Sequence, residues 1–169
     1  EKTEANETAV LTLKSKIKPV LIKVYTLIDG SQMLSRWLEI ENLSDAPLKL
    51  SRLSVMGGGL ESLDDDALDH TESINDVYSL GYFENDAWGN EGQFKWEKLL
   101  ANSTSIDGRF GRDRFRHPLL FIRNNLTGKI WFSQIGFSGG YRYTVDYNAR
   151  PDKCNTHLSF KAEITGHNP

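Results

Sequence analysis

The residues best suited to chemistry crowd between Tyr82 and His117. Tyr82, Phe83, Trp88, Phe94, Trp96, Phe110 and Phe115 are interleaved there with Arg109, Arg112, Arg114 and Arg116. Sugars present C–H faces that stack on aromatic rings, and their hydroxyls take hydrogen bonds from Arg, Asn and Asp, so this composition suits a carbohydrate or a protein interface. Phe94 and Trp96 share one strand face and are expected in the core, where aromatic side chains mostly lie. Trp88 is different. It stands among Asp86, Gly89 and Asn90 in a loop, and an exposed loop Trp is costly unless something covers it.

Acid–base chemistry has candidates by residue type alone: Asp86, Glu91, Glu97, Asp107 and Asp113 with His70, His117 and His157. Any chain this rich in acids offers such pairs, and no nucleophile elbow or metal signature accompanies them. Self-contained catalysis is therefore not expected. The run Gly57-Gly58-Gly59 lacks the Lys-Ser/Thr of a nucleotide-binding loop, and the acids that follow it, Asp64-Asp65-Asp66 and Asp69, would repel phosphate. Those acids also lack the alternate-residue spacing, central Gly and closing Glu of a calcium loop, so a solvated loop from Met56 to Asn75 is expected. Cys154, the single cysteine, has no partner for a disulfide and no ligand spacing for zinc, and no cofactor or metal is expected.

Bulk properties narrow the partners. Lys and Arg number 20 against 23 Asp and Glu, a net charge of −3, which gives no electrostatic case for nucleic acid or an anionic membrane. No apolar run approaches the length that spans a bilayer, so a soluble chain is expected. Asn-x-Ser/Thr sequons at Asn6, Asn42, Asn102 and Asn125 would matter only in a glycosylating secretory pathway.

The elements that must position these residues read as strands throughout. Val20 to Ile28 is apolar on both faces for part of its length, the pattern of a central strand. The turn Asp29-Gly30-Ser31 leads to a second run, Leu34 to Glu41, and Asn42 to Pro47 is a turn-forming cluster around which a hairpin to Leu48–Val55 is expected. Further strands are predicted over Asp76–Phe83, Phe94–Leu100, Pro118–Asn124, Lys129–Phe137, Tyr141–Tyr147 and Thr156–Ile164. Asn124–Gly128 and Ser138–Gly140 are read as hairpin connections. No helical stripe, repeat or linker interrupts the pattern. One all-β domain over residues 1–169, an antiparallel two-sheet β-sandwich, is the expected fold.

The order of motifs resembles the N-terminal β-sandwich domain of family 36 glycoside hydrolases, the α-galactosidase group. The residues that carry the resemblance are Trp88, Ile106-Asp107-Gly108-Arg109 with Gly111, His117-Pro118, and Phe137-Ser138-Gly139-Gly140. Phe137 stands where family members commonly have Trp, and Arg112-Asp113 where a Ser pair is frequent. The resemblance implies a galactose-mutarotase-like supersandwich serving as the accessory domain of a retaining enzyme whose two carboxylates sit in a separate (β/α)8 barrel of the same parent chain. The nucleophile motif of that barrel, Lys-Trp-Asp, does not occur here, where Lys95-Trp96 is followed by Glu97. By the same analogy the domain takes part in homo-oligomer contacts and its loops reach the rim of an α-galactoside pocket. Trp88, Asn90, Arg109, Arg112, Arg114 and His117 are the expected rim or interface residues. The chain's end at Gly166–Pro169, just after a strand-like run, is expected for a boundary inside a longer protein. A free-standing carbohydrate-binding or interaction sandwich is the alternative.

Overall fold

A computed structural model of the chain describes residues 7–63, 71–89, 91–109, 116–137, 139–148 and 156–165. Every sheet in it is antiparallel, and the described residues contain no α-helix, only one short 3-10 turn at Ile74–Asp76. Among the described residues no helix is long and apolar enough to cross a membrane. The chain divides into two compact units, residues 1–50 and 51–169.

The first unit is a three-stranded sheet, β1 (Glu7–Lys14), β2 (Val20–Ile28) and β3 (Ser35–Asn42), with β2 in the centre. Register explains its faces. Leu11 pairs with Val24 and Val24 with Leu38, and Leu13, Ile22 and Ile40 form the next row, so one face is aliphatic. On the other, Tyr25 stacks on Trp37 with centroids 5.1 Å apart, and its hydroxyl donates to Glu39 Oε2 at 2.7 Å. The β2–β3 turn needs glycine, because Gly30 sits at φ 76°, and Asp29 Oδ1 accepts from the Ser31 N–H at 2.9 Å.

The second unit is a sandwich of two four-stranded sheets. One runs β4 (Arg52–Leu63), β11 (Thr156–Thr165), β10 (Gly140–Asn148), β7 (Ser103–Gly108); the other runs β6 (Phe94–Lys98), β5 (Tyr78–Phe83), β8 (Leu119–Asn124), β9 (Ile130–Gln134). The inward positions of both sheets form the core. Tyr78, Leu80, Tyr82, Leu120 and Ile122 from the second sheet meet Ile106, Tyr141, Tyr143, Val145, Tyr147 and Leu158 from the first. This core is rich in tyrosine, and each phenol needs an acceptor once water is excluded. Tyr147 donates to Ile74 O at 2.7 Å, the Tyr143 hydroxyl lies 3.1 Å from both Pro118 O and Ser133 O, and the Tyr141 hydroxyl reaches Arg116 O and His117 O. In the opposite direction Tyr78 donates to Glu61 Oε2 on β4 at 2.9 Å, an oxygen that also accepts from Asn124 Nδ2 at 2.8 Å. Phenols thus bridge the two sheets from both sides.

Three expectations are corrected by the pairing. The Asn42–Pro47 cluster does not close a hairpin: among the described residues β3 pairs only with β2, while β4 pairs with β11. The three glycines are not loop but β4 ladder. Gly57 lies so close to β11 that an added Cβ would stand 3.0 Å from Phe160 O, which is why a residue without a side chain occupies a strand there. The segment after β9 is likewise a crossover rather than a hairpin, since β9 pairs with β8 in one sheet and β10 with β7 and β11 in the other. One strand is added that the sequence did not suggest: β1, whose Val10, Leu11 and Leu13 stand among polar residues, pairs with β2 along its whole length. The acidic run Asp64–Asp66 with Asp69, and Cys154, lie outside the described residues.

Candidate functional site

Antiparallel pairing brings one end of the sandwich together: the end of β5, the start of β6, the end of β7 and the start of β8. The β5–β6 connection is closed by Glu84 N donating to Gln93 O at 2.8 Å. Inside it, Gly89 and Gly92 sit at φ 79° and 70°, where a side chain would be strained. Asp86 Oδ1 accepts from the Gly92 N–H at 2.9 Å and Glu91 Oε1 from the Gly89 N–H at 3.3 Å. These bonds brace a turn that presents Trp88 to solvent with 101% relative exposure. An indole in water on a side-chain-braced turn is the most conspicuous exposed aromatic of this end.

His117 is drawn to the same place. Its ring meets Phe83 edge-on at 4.7 Å, and a Cβ on Gly92 would lie 3.9 Å from its Nε2, so it packs beneath the Trp88 turn. Its backbone is fixed by the Tyr141 hydroxyl at 3.0 Å and by Leu119 N at 2.8 Å. Arg109 is exposed directly after β7, next to Gly108. Gly108 underlies the Tyr141 ring, where a Cβ would meet Tyr141 Cε1 at 2.6 Å. The structure therefore gathers Trp88, Arg109 and His117 at one end of the sandwich. Asn90, Arg112 and Arg114 lie outside the described residues.

Beneath the same end lies a charged cluster. Tyr82, nearly buried, donates to Glu97 Oε1 at 2.8 Å, with Lys95 Nζ 5.0 Å and the Arg116 guanidinium 5.2 Å from its ring centroid. Lys95 pairs with Glu84 at 3.1 Å and with Glu97 at 3.5 Å. Burial first, and the bond to Glu97 next, push the Tyr82 phenol up, although the contact with Lys95 opposes them. Lys95 is raised in turn by its contacts with Tyr82 and Glu84. Of the acid–base candidates, Glu97, Asp86 and Glu91 thus each hold a partner from this chain, and His157 lies on β11 with Nδ1 3.2 Å from Ser62 Oγ. Asp113 and His70 lie outside the described residues. No group of three His, Cys, Asp or Glu gathers to hold a metal among the described residues.

A second surface is not legible in the sequence. Phe94 and Trp96 are 40% and 38% exposed, which corrects their expected place in the core. They lie on the outer face of the second sheet, where Trp96, Gly81, Phe121 and Phe132 form one cross-strand row. Gly81 is the cause. With no side chain at its centre, the row lets the rings of Trp96 and Phe94 fold over the strand, so that a Cβ there would meet them at 2.8 and 2.9 Å. The Arg123 guanidinium covers the Trp96 ring at 4.8 Å. Both faces of β8 are apolar, Leu120 and Ile122 inside and Leu119 and Phe121 outside, so periodicity alone could not choose the buried one.

No known family model matches this sequence, and no curated protein matches it.

Proposed function

We propose that this chain is a non-catalytic accessory β-sandwich of a retaining α-galactosidase-type glycoside hydrolase, with the Trp88 end forming part of the rim of an α-galactoside pocket. The observation that carries the reading is the fully exposed Trp88 on its braced turn, beside His117 and Arg109. Exposing an indole to water is unfavourable, and bracing the turn that does so makes sense when the ring has something to cover. Sugar rings suit it: one apolar face stacks on the indole, while hydroxyls find Arg and His donors at the edge. The motif order shared with the family 36 accessory domain supplies the substrate class and the expected partner, a (β/α)8 barrel in the same parent chain.

The alternative of a free-standing carbohydrate-binding module would look to the outer aromatic face instead. There the Arg123 guanidinium lies over the Trp96 ring and the Phe94 ring meets Trp96 edge-on at 5.6 Å, so a sugar stacking on that indole would have to displace the Arg. This favours the Trp88 end.

Two experiments test the proposal. The coding frame beyond Pro169 is expected to continue into a barrel containing Lys-Trp-Asp, and a nearby stop codon would overturn the accessory-domain assignment. In the parent enzyme Trp88→Ala is expected to raise KM for α-galactosides about tenfold, the equivalent of a lost contact of ~1.4 kcal/mol. An unchanged KM and unchanged assembly would remove Trp88 from the rim.

A further inference from the structure

Each sheet has two edge strands: β1 and β3, β4 and β7, β6 and β9. An unpaired edge presents free N–H and C=O groups, and proteins usually guard it with charges, bulges or proline. Five of these edges carry such guards: Glu7 and Lys14 on β1, Arg36, Glu39 and Glu41 on β3, Arg52 and Glu61 on a bulged β4, Asp107 on β7, and Lys95, Glu97 and Lys98 on β6. The sequence of β9, Ile-Trp-Phe-Ser-Gln, has none, and the uncharged run continues from Ile130 to Tyr141. Ile130 and Phe132 are 53% and 49% exposed.

The alternation of antiparallel hydrogen bonds says which groups are open. The hairpin is closed by Asn124 N donating to Lys129 O, and its far end by Ile135 N donating to Pro118 O. Bonded residues therefore alternate through Lys129, Trp131, Ser133 and Ile135, and the backbone groups of Ile130, Phe132 and Gln134 point away from β8. The side chains of the same three residues lie on the outer face, in line with the aromatic row.

We propose that β9 is the pairing edge of a homodimer in which two copies join antiparallel about a two-fold axis at Phe132. This register sets Phe132 against its own copy and Ile130 against Gln134, forming about six backbone hydrogen bonds. No like charges meet, because Lys129 faces Ile135 of the other copy. The row Trp96, Gly81, Phe121, Phe132 then runs on into the partner's Phe132 and Phe121, continuing the offset contact that Phe121 and Phe132 already make at 6.2 Å. The occupant is a second copy because the strand is its own complement: apolar against apolar at the axis, amide against aliphatic at the ends. None of Trp88, Arg109 and His117 enters this pairing.

The test is the mass of the 169-residue chain by sedimentation velocity from micromolar to near-millimolar concentration. A concentration-dependent rise toward twice 19.2 kDa is expected. Gln134→Pro removes an N–H that β8 does not use, so it should leave the far-ultraviolet spectrum intact and keep the chain monomeric. In a Cys154→Ser background, Phe132→Cys should form an intermolecular disulfide on mild oxidation, since hydrogen-bonded antiparallel partners stand about 5.5 Å apart between Cα atoms, within the bridging range. Ile130→Cys should not, because its symmetry mate lies about 14 Å away along the strand. A chain that stays monomeric throughout overturns the proposal. So does a dimer unaffected by Gln134→Pro, or one that crosslinks at position 130 rather than 132.

Discussion

Five of the six tyrosines lie in the sandwich core, which makes alkaline pH the most informative perturbation of this fold. Burial pushes Tyr143 and Tyr147 up to about 12, and Tyr78, Tyr82 and Tyr141 are also raised, each chiefly by burial. An unfolded tyrosine titrates near 10. Between these values the native state keeps protons that the unfolded chain has released, so the unfolded state binds fewer and stability falls as pH rises. The contribution is whole below about pH 10 and, for Tyr143 and Tyr147, is lost by about pH 12. Two units at ~1.4 kcal/mol per unit make about 3 kcal/mol for each, on the order of 5 to 6 kcal/mol for the pair. That rivals the 5–15 kcal/mol of a typical domain. The second unit is therefore expected to unfold cooperatively between about pH 10 and 12, its core phenols ionising as it unfolds. Phenolate absorbance and near-ultraviolet circular dichroism, followed together through a pH titration, should change in one step. If most phenols ionise independently near pH 10 while the dichroism stays native, the reasoning is wrong. Tyr147→Phe refines the test. It should lower stability at neutral pH by about 1 kcal/mol through the lost bond to Ile74 O, and make the alkaline decline shallower.

Two glycines beneath aromatic rings should behave differently. Gly108→Ala drives a methyl into Tyr141, a buried ring whose hydroxyl is anchored, and should cost about 1–3 kcal/mol by urea denaturation, whereas the half-exposed rings over Gly81 can swing away and Gly81→Ala should cost less. Glu61→Ala leaves Tyr78 and Asn124 without their shared acceptor and should cost about 2–3 kcal/mol, with Glu61→Gln recovering part of it. Trp88→Ala should leave the melting temperature of this chain unchanged within a degree or so, because the indole buries nothing here, while any parent activity on α-galactosides weakens.

Strand positions are legible because alternation and turn chemistry are local. Val20–Ile28 and the Asn124–Gly128 hairpin can be read directly, and Trp88 reads as exposed from its turn-forming neighbours. Strand partners are not legible, because they depend on packing between segments far apart in sequence. Asn42–Pro47 has the composition of a hairpin turn, yet Leu53 and Ile164 pair across the whole second unit. The triple glycine reads as a loop until β11 is laid against it, when the missing side chains become the reason it fits. The same limit hides the outer aromatic row, since Trp96 and Phe121 meet only because Gly81 lies between their strands.

The Tyr141 hydroxyl has a consequence for how this protein would respond to selection. It holds the carbonyls of Arg116 and His117, and so fixes the backbone on which the Trp88 end rests. Tyr141 itself is 3% exposed and would touch no ligand. A library screened only for affinity would nonetheless return it among the sensitive positions, and its phenylalanine variant would pass as a binding mutant while being an anchoring one. Core and exposed end are here mechanically joined: a change at the buried ring loosens the backbone beneath the Trp88 turn.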